Sequence, residues 1–291
     1  MSLLERIPEL ACPECKGSLE EKDTLRCRGC GAVFGVVDGI PYMLSGDMKA
    51  FAEEIAVQDR VAVEYELKRY RSPYAKRYHD WWTDLMLSTI RTDGRILDNG
   101  CGAGLLLDRI DPGRVVGLDL SSEMLKRAAQ RTAQLVLGNS EKLPLQSQSF
   151  DAVFCRSLLH HLPQPAQAIE EMHRILRPGG EVVSVDTNRS LLSVLPRMLA
   201  GRTRHFSSEH KNFNARELVA LFNARFTVKA VRFFGYVGYP ILGFPDLIDC
   251  FKYFPAKELC YRVLMGVDET LARIPLVRSQ AWAMLITARK R

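Results

Sequence analysis

An α/β protein of the doubly wound kind, with a mostly parallel sheet between helices and a small cysteine-rich head, is what this sequence predicts. Three observations predict it. From residue 95 onward short apolar runs alternate with helix-like segments, the pattern of a parallel sheet covered on both faces. The run Arg95-Ile96-Leu97-Asp98 ends in an acid, and glycines follow at 100, 102 and 104, which marks a tight turn from a buried strand towards a helix. Two Cys-x-x-Cys pairs stand near the N-terminus.

The chain has 291 residues, enough for one large domain and a small one, and its 47% apolar and 25% charged content is that of an ordinary globular protein. No apolar run reaches the roughly 18 residues of a spanning helix. The start, Met1-Ser2-Leu3-Leu4-Glu5-Arg6, lacks the apolar core of a signal peptide, so a cytoplasmic location is expected, with peripheral membrane contact left open. The net charge of +6 is spread along the chain, compatible with nucleic acid or an anionic membrane surface and diagnostic of neither.

Residues 1–45 read as the head. Cys12-Pro13-Glu14-Cys15 and Cys27-Arg28-Gly29-Cys30 each present two thiolates from one turn, and Ser18-Leu19-Glu20 with Thr24-Leu25-Arg26 can form a hairpin between them. Four thiolates at this spacing suit a closed tetrahedral structural zinc site in a zinc-ribbon-like fold. Redox-active thiols and a ribbon without metal are the alternatives; the small apolar core of so short a segment favours the metal. Residues 46–90 read as a helical connector. Phe51 to Arg69 is helix-compatible, and Tyr65, Tyr70, Tyr74, Tyr78, Trp81 and Trp82 make an aromatic cluster that either covers the sheet edge or forms a lid over a site.

Residues 91–291 form the large domain. Strands are expected at 95–98, 114–119, 134–137, 150–155, 180–186 and 226–233, with a closing strand at 281–288; helices are expected at 104–110, 122–132, 166–176 and 215–223. Asn214 with Glu217 makes a capping box for the last of these. Val115-Val116-Gly117-Leu118-Asp119 is a second strand ending in an acid, about twenty residues beyond the glycine turn, where a ribose-binding carboxylate belongs in a doubly wound nucleotide fold. Cys101 and Cys155 read as core thiols.

Further signals follow in order: Gly138-Asn139-Ser140-Glu141, Ser149-Phe150-Asp151-Ala152-Val153-Phe154, Leu158-Leu159-His160-His161-Leu162, and Glu170 through Gly180. With Leu97-Asp98-Asn99-Gly100-Cys101-Gly102-Ala103-Gly104 and Asp119-Leu120-Ser121, they make residues 92–190 resemble the Rossmann-like class I S-adenosylmethionine-dependent methyltransferases of the broad small-molecule type. A nicotinamide dehydrogenase is disfavoured, because the turn reads Asp-x-Gly-x-Gly-x-Gly rather than Gly-x-Gly-x-x-Gly. Residues 8–45 are similar to the zinc-binding heads fused to some bacterial methyltransferases and to the free-standing zinc-binding activator of tRNA and translation-factor methyltransferases. The rRNA guanine-N1 methyltransferases carry a related head that commonly has a His ligand; here all four candidates, Cys12, Cys15, Cys27 and Cys30, are cysteines.

The resemblance implies a set of roles. Gly100, Gly102 and Gly104 let main chain approach the methionine and ribose of S-adenosylmethionine. Asp98 faces the methionine ammonium, Asp119 accepts from the ribose hydroxyls, and Leu120 packs on the adenine. Asn139, where most relatives have Asp, reads the adenine amino group, with Ser140 and Glu141 in the same segment. Arg156 follows the fourth strand, where backbone of relatives contacts the methionine end. For the acceptor, His160 and Asp186 close neighbouring strands and match the base dyad of some sugar O-methyltransferases; a purely positional imidazole is the alternative. His205 and His210 either line the substrate mouth or lie in a surface loop.

About 45 residues, 235–280, separate the last two strands and are rich in bulky apolar groups, with a helix expected at 256–273; Leu191 to Leu199 is apolar too. Such an insertion packs on the sheet or on a second subunit as a homodimer, or it forms a greasy lid for a hydrophobic or lipid-linked acceptor and touches a membrane surface. The leading expectation is therefore O-methylation of a small or lipid-like acceptor. The other two are an RNA methyltransferase whose head grips nucleic acid, and an inactive docking partner. The Asn/Asp-Pro-Pro-Tyr/Phe signature of base amino methylation is absent, as is a Pro-Cys nucleophile of the cytosine type.

Overall fold

The computed structural model describes residues 2–45, 48–69, 72–132, 134–193, 213–245 and 249–291. Among them the strands are β1 (Leu19–Glu21), β2 (Leu25–Cys27), β3 (Val33–Phe34), β4 (Val36–Val37), β5 (Ile40–Met43), β6 (Ile96–Asn99), β7 (Val115–Asp119), β8 (Leu135–Gly138), β9 (Phe150–Arg156), β10 (Leu176–Thr187), β11 (Phe226–Phe234) and β12 (Ala283–Lys290). The helices are α1 (Leu3–Arg6), α2 (Ala52–Arg69), α3 (Pro73–Leu87), α4 (Ser122–Ala128), α5 (Pro165–Ile175), α6 (Ala215–Asn223), α7 (Gly238–Leu242) and α8 (Lys257–Arg273).

β1, β2 and β3 form a small sheet, and a nine-stranded sheet runs β11-β12-β10-β9-β6-β7-β8-β5-β4. From β10 across to β5 the neighbours are parallel, whereas β12 is antiparallel to both β10 and β11. The fold class is thus a mostly parallel doubly wound sheet. Its strands are buried on both faces: β6 and β8 are buried at every position, which is why they read as continuous apolar runs rather than alternating ones. The chain winds from β6 outward to β8, then returns to lay β9 on the other side of β6. The order reverses at the β6–β9 pair, the switch point at which a sheet of this kind carries its ligand crevice, beyond the carboxyl ends of the strands.

Local chemistry sets most boundaries. α6 starts at the capping box, with Asn214 Oδ1 accepting from Glu217 N and Glu217 Oε2 accepting from Asn214 N. α3 starts with Ser72 as N-cap and a proline in its first turn, and buries Ala75, Tyr78, His79, Trp82 and Met86, one face at helical spacing. The helix expected at 104–110 is instead a turn ending in the 3-10 segment Leu107–Arg109. Gly104 has φ of +86°, its N–H bonds Cys101 O, and Leu107 N bonds Gly104 O, so i→i+3 turns take up the run before Pro112. α4 likewise stops at Ala128, short of the expected 132.

The head is built into this sheet. β5 runs parallel to β8, pairing Tyr42 with Leu137 and Met43 with Gly138. Ile7, Leu10, Leu25 and Met43 belong to one apolar cluster with Leu143, Leu145 and Phe150 of the large domain. Arg95 holds Glu9 through two bonds of 2.8 Å, Ala11 N donates to Pro144 O, and Lys16 Nζ reaches both Leu143 O and Glu171 Oε2. The expected boundary at residue 45 therefore falls beyond a strand of the shared sheet.

α3 packs with Phe234 and the insertion on the second core cluster: Trp82 meets Phe234 edge-on at 5.4 Å and Tyr239 at 5.8 Å. The side chains of Tyr65 and Tyr70, placed in the aromatic cluster from sequence, lie outside the described residues. The insertion leaves β11 at its carboxyl end and returns at the start of the antiparallel β12, so both its roots stand at the crevice edge of the sheet. Inside it, the buried Asp268 of α8 accepts from Tyr236 N (3.1 Å), Val237 N (2.7 Å) and Gly238 N (3.1 Å), pinning the start of α7.

Candidate functional site

The first strand of the crevice, β6, delivers Asp98 and Asn99. Asp98 is buried, and its carboxyl accepts no hydrogen bond among the described residues. Burial pushes its carboxyl up to about 7; the Arg156 guanidinium pulls it down and the Asp119 charge pushes it further up. Asn99 is fully buried, and its Nδ2 has no partner among the described residues, while its Oδ1 accepts from Ser140 Oγ at 2.8 Å. Sequence reasoning passed over Asn99, although its place between the acid and the first glycine was a usable signal.

The glycine turn leaves β6 with Gly100 N and Cys101 N both bonded to Leu118 O. The three glycines have φ of +76°, +52° and +86°. A Cβ on Gly100 would sit 3.0 Å from Leu158 Cδ1, and one on Gly104 would meet Leu107, Arg131 and Ala128 at 3.0–3.2 Å. One on Gly102 would meet nothing within 4 Å, so this glycine faces open space. Backbone conformation thus favours glycine at all three positions, and packing within the chain adds to it at 100 and 104.

Asp119, at the end of β7, holds that turn: its Oδ2 accepts from Gly102 N at 2.8 Å and its Oδ1 from Ser121 N at 2.9 Å. Burial raises its pKa, and these N–H donors lower it. Each oxygen keeps a second lone pair for a ligand hydroxyl. Leu120 follows, packed against the core. Asn139 Oδ1 is used locally, capping the turn Ser140–Lys142 through Glu141 N at 2.8 Å, and Glu141 Oε1 in turn accepts from Gln164 N.

Arg156, expected to contribute backbone, contributes its side chain. Its guanidinium lies 4.4 Å over the Trp82 ring, donates to His79 Nδ1 at 2.7 Å and to Thr83 Oγ1 at 3.2 Å. A carbonyl can only accept, so His79 Nε2 carries the proton it donates to Gly243 O at 2.8 Å, and Nδ1 is the acceptor. α3 thereby holds a cation beside Asp98 without an ion pair between them. From sequence Trp82 is only part of an aromatic cluster over the sheet edge or a site, and His79 and Thr83 are not legible, because their link to β9 is tertiary.

On the acceptor side, the 3-10 turn after β9 presents His160 and β10 presents Asp186, both buried. His160 Nδ1 lies 2.5 Å from Asp186 Oδ1, which also accepts from Thr187 N. Asp186 Oδ2 is buried with no partner among the described residues. The His161 ring lies tilted against His160 with centroids 4.1 Å apart, and its Nδ1 is 2.9 Å from Glu54 Oε1 of α2. Ser121 Oγ donates to Asp59 Oδ1 of the same helix, and Ala62 packs on Ala103 and Met124. α2 therefore bridges the loops on both sides of the crevice. His205 and His210 lie outside the described residues.

Away from the crevice, Cys12, Cys15, Cys27 and Cys30 bring their sulfurs within 4.8 Å of one another, the geometry of a metal site. Cys12–Cys30 and Cys15–Cys27 are 3.6 and 3.4 Å apart, and none is in a disulfide. Metal–sulfur bonds of about 2.3 Å in a tetrahedron separate the sulfurs by about 3.8 Å, so the set fits. The N–H groups of Cys30 and Gly29 point at Cys27 Sγ, and that of Cys30 above all draws its thiol pKa down to about 6. Gly17 is needed here: a Cβ would press on Cys15 Sγ at 3.1 Å and Cys27 Sγ at 3.2 Å.

Comparison with known proteins follows this division. Residues 97–184 match the methyltransferase domain family, and residues 9–39 match the Trm112p-like protein family. The chain is 32% identical over 175 residues to a 37.1 kDa protein of transposon TN4556 from Streptomyces fradiae, which covers 55% of this chain and 47% of that one. It is 32% identical over 146 residues to the demethylmenaquinone methyltransferase of Lactiplantibacillus plantarum (45% and 61%) and 31% identical over 167 residues to that of Staphylococcus aureus (53% and 68%). It thus spans about half to two thirds of the length of these relatives. Among solved structures, a SAM-dependent methyltransferase from Thermotoga maritima superposes with TM-score 0.56 at 18% identity, covering 81% of this chain and 99% of that one. A chain from the complex between the Haloferax volcanii Trm112 methyltransferase activator and a methyltransferase gives 0.53 at 19%, covering 84% and 97%. The doubly wound sheet, the glycine turn at its switch point and the match to the Staphylococcus aureus relative lead to one conclusion: this chain belongs to the S-adenosylmethionine-dependent methyltransferases and carries a Trm112p-like head with four cysteines in metal-binding geometry.

Proposed function

We propose that this protein methylates an ionisable hydroxyl on a hydrophobic or lipid-linked acceptor, using S-adenosylmethionine, with His160 and Asp186 as base dyad and zinc as a structural metal in the head. The observation that carries the reading is the 2.5 Å contact between His160 Nδ1 and Asp186 Oδ1 at the crevice edge.

When bound, the cofactor supplies an electrophilic methyl group on a good leaving sulfonium, so the chain's task is alignment, exclusion of water and proton removal. The crevice fits that cofactor in kind. Asp98 is a buried carboxyl short of donors, Asn99 Nδ2 is an orphaned buried donor, and Gly102 opens onto space. Asp98 would take the ammonium of the methionine end and Arg156 its carboxylate. Asp119 would accept from the ribose hydroxyls with its remaining lone pairs, and the Leu120 side chain and the Asn139–Glu141 segment would border the adenine. α2 would act as a lid, holding both crevice loops through Asp59 and Glu54.

Asp186 holds the Nδ1–H of His160, which fixes the tautomer and leaves Nε2 as the basic nitrogen. The acceptor hydroxyl would give its proton to Nε2, and the buried carboxylate would stabilise the resulting imidazolium. The insertion rooted at the crevice edge would supply an apolar wall, with Tyr239, Leu242 and Phe251 buried in one core cluster with α3. The demethylmenaquinone methyltransferases among the relatives support an acceptor of quinone type, and the choice of oxygen as the methylated atom rests on the His160–Asp186 pair alone.

An RNA substrate has one observation in its favour, the Trm112p-like match of the head. Against it, three of the five Lys and Arg side chains of the head are engaged within the chain: Lys16 with Glu171, Arg28 with Glu20, and Arg6 with Gly39 O. The test is transfer of a labelled methyl group to a short-chain naphthohydroquinone and to total RNA, with mass analysis of the product. An O-methylated quinol, lost in His160→Ala, supports the proposal. A methyl group on RNA, or on carbon or nitrogen, overturns it.

A further inference from the structure

Eleven large apolar side chains are exposed among the described residues, and eight of them stand on the insertion or beside it. Leu259 (63% exposed), Val263 (54%) and Val267 follow one another at i, i+4, i+8 along α8, which places them on one stripe facing solvent. Ile274 and Leu276, the latter 90% exposed, follow just past the helix end. The turn that follows is tied to the segment after Asp186: Ser190 Oγ donates to Gln280 O and Leu191 N to Gln280 Oε1, and Leu191 is itself exposed. The opposite side of α8 is satisfied by the core through Tyr261 and Asp268, so the outward stripe is not needed for folding. Scattered exposed apolar groups need no explanation; a contiguous set on one element does.

Charge selects the occupant. Between residues 249 and 280 the exposed charged residues are Lys252, Lys257, Arg262, Arg273 and Arg278 against the single acid Glu269, with Asp249 and Glu258 half-buried. The i,i+4 pairs Arg262–Glu258 and Arg273–Glu269 are exposed and weak, so they yield to a stronger anion field. A second copy of the chain meeting this face about a twofold axis would set these cations against themselves. An anionic bilayer surface would meet them with phosphates while the stripe enters the acyl boundary, the arrangement of an interfacial helix. No helix among the described residues is long and apolar enough to cross a membrane, so the contact is one of lying on the surface.

We propose that the outer face of α8, with Ile274 and Leu276, is a docking surface for an anionic phospholipid membrane, and that it sets the crevice mouth against the bilayer. The role rests on the lipid-linked acceptor reading; the surface itself does not. Co-sedimentation of the full chain with vesicles of phosphatidylcholine alone, and with added phosphatidylglycerol, tests it. Binding should require phosphatidylglycerol, weaken with salt, and fall at least tenfold in the double variant Val263→Glu/Leu276→Glu, with S-adenosylhomocysteine affinity and circular dichroism unchanged. Absence of wild-type binding, equal binding by the variant, or a wild-type dimer that the variant turns into a monomer overturns it. Transfer to a detergent-dispersed naphthohydroquinone separates the two readings. Vesicle binding without any such transfer upholds the docking surface and sinks the acceptor assignment.

Discussion

Asp98 is a buried carboxyl held near a guanidinium that is already engaged by His79 and Thr83. With its pKa pushed up to about 7, a growing share of it is protonated as pH falls below neutrality, and an arriving ammonium displaces that proton. The free-state pKa is the raised one and the bound-state pKa the ordinary one, so binding gains as pH rises towards about 7 and is lost as it falls. Affinity for S-adenosylhomocysteine, measured by calorimetry, should weaken about tenfold per pH unit below about 7, and Asp98→Asn should flatten that slope. Asp119→Ala frees the glycine turn and removes the proposed ribose contact; a loss of tenfold or more in the same measurement is expected. If His160 is the base we propose, His160→Ala should cut turnover about 100- to 10,000-fold while leaving cofactor affinity within about twofold. The pairing of His160 with Asp186 was legible because both follow ends of strands that lie side by side. The cradle of Arg156 was not, because Trp82 and His79 are separated from it by some 70 residues and meet it only when α3 packs on β9.

The insertion depends on one buried acid. Asp268 is the common acceptor for the three N–H groups of Tyr236, Val237 and Gly238, and burial raises its pKa even so. Asp268→Ala would orphan these donors, a cost of about 1–3 kcal/mol visible as a lower denaturant midpoint. Hydrogen exchange at 236–243 should quicken in parallel. Elements whose limits are written in local chemistry were readable from sequence: α6 begins at its capping box, and α8 spans 257–273 against the expected 256–273. The run after Gly104 was misread because apolar periodicity does not report a left-handed residue at its start, and Gly104 turns the chain before a helix can nucleate.

The head and the large domain share both a core cluster and a sheet, which a pattern reading that divides the chain at residue 45 has no means to detect. From sequence alone, metal removal would loosen only residues 8–45. With Ile7, Leu10 and Leu25 packed against Leu143 and Leu145, chelation should instead lower the midpoint of a single calorimetric transition for the whole chain. A separate low-temperature transition for the head would contradict this. The pairing of β5 with β8 carries one more consequence. Take the first 45 residues away and Leu135–Gly138, buried at every position, becomes a bare border with a row of unanswered N–H and C=O groups. The N-terminal module is then a selvedge, keeping one molecule's fabric from being stitched to the next, and a head-less chain should precipitate by strand-to-strand association before any defect in its chemistry could be measured.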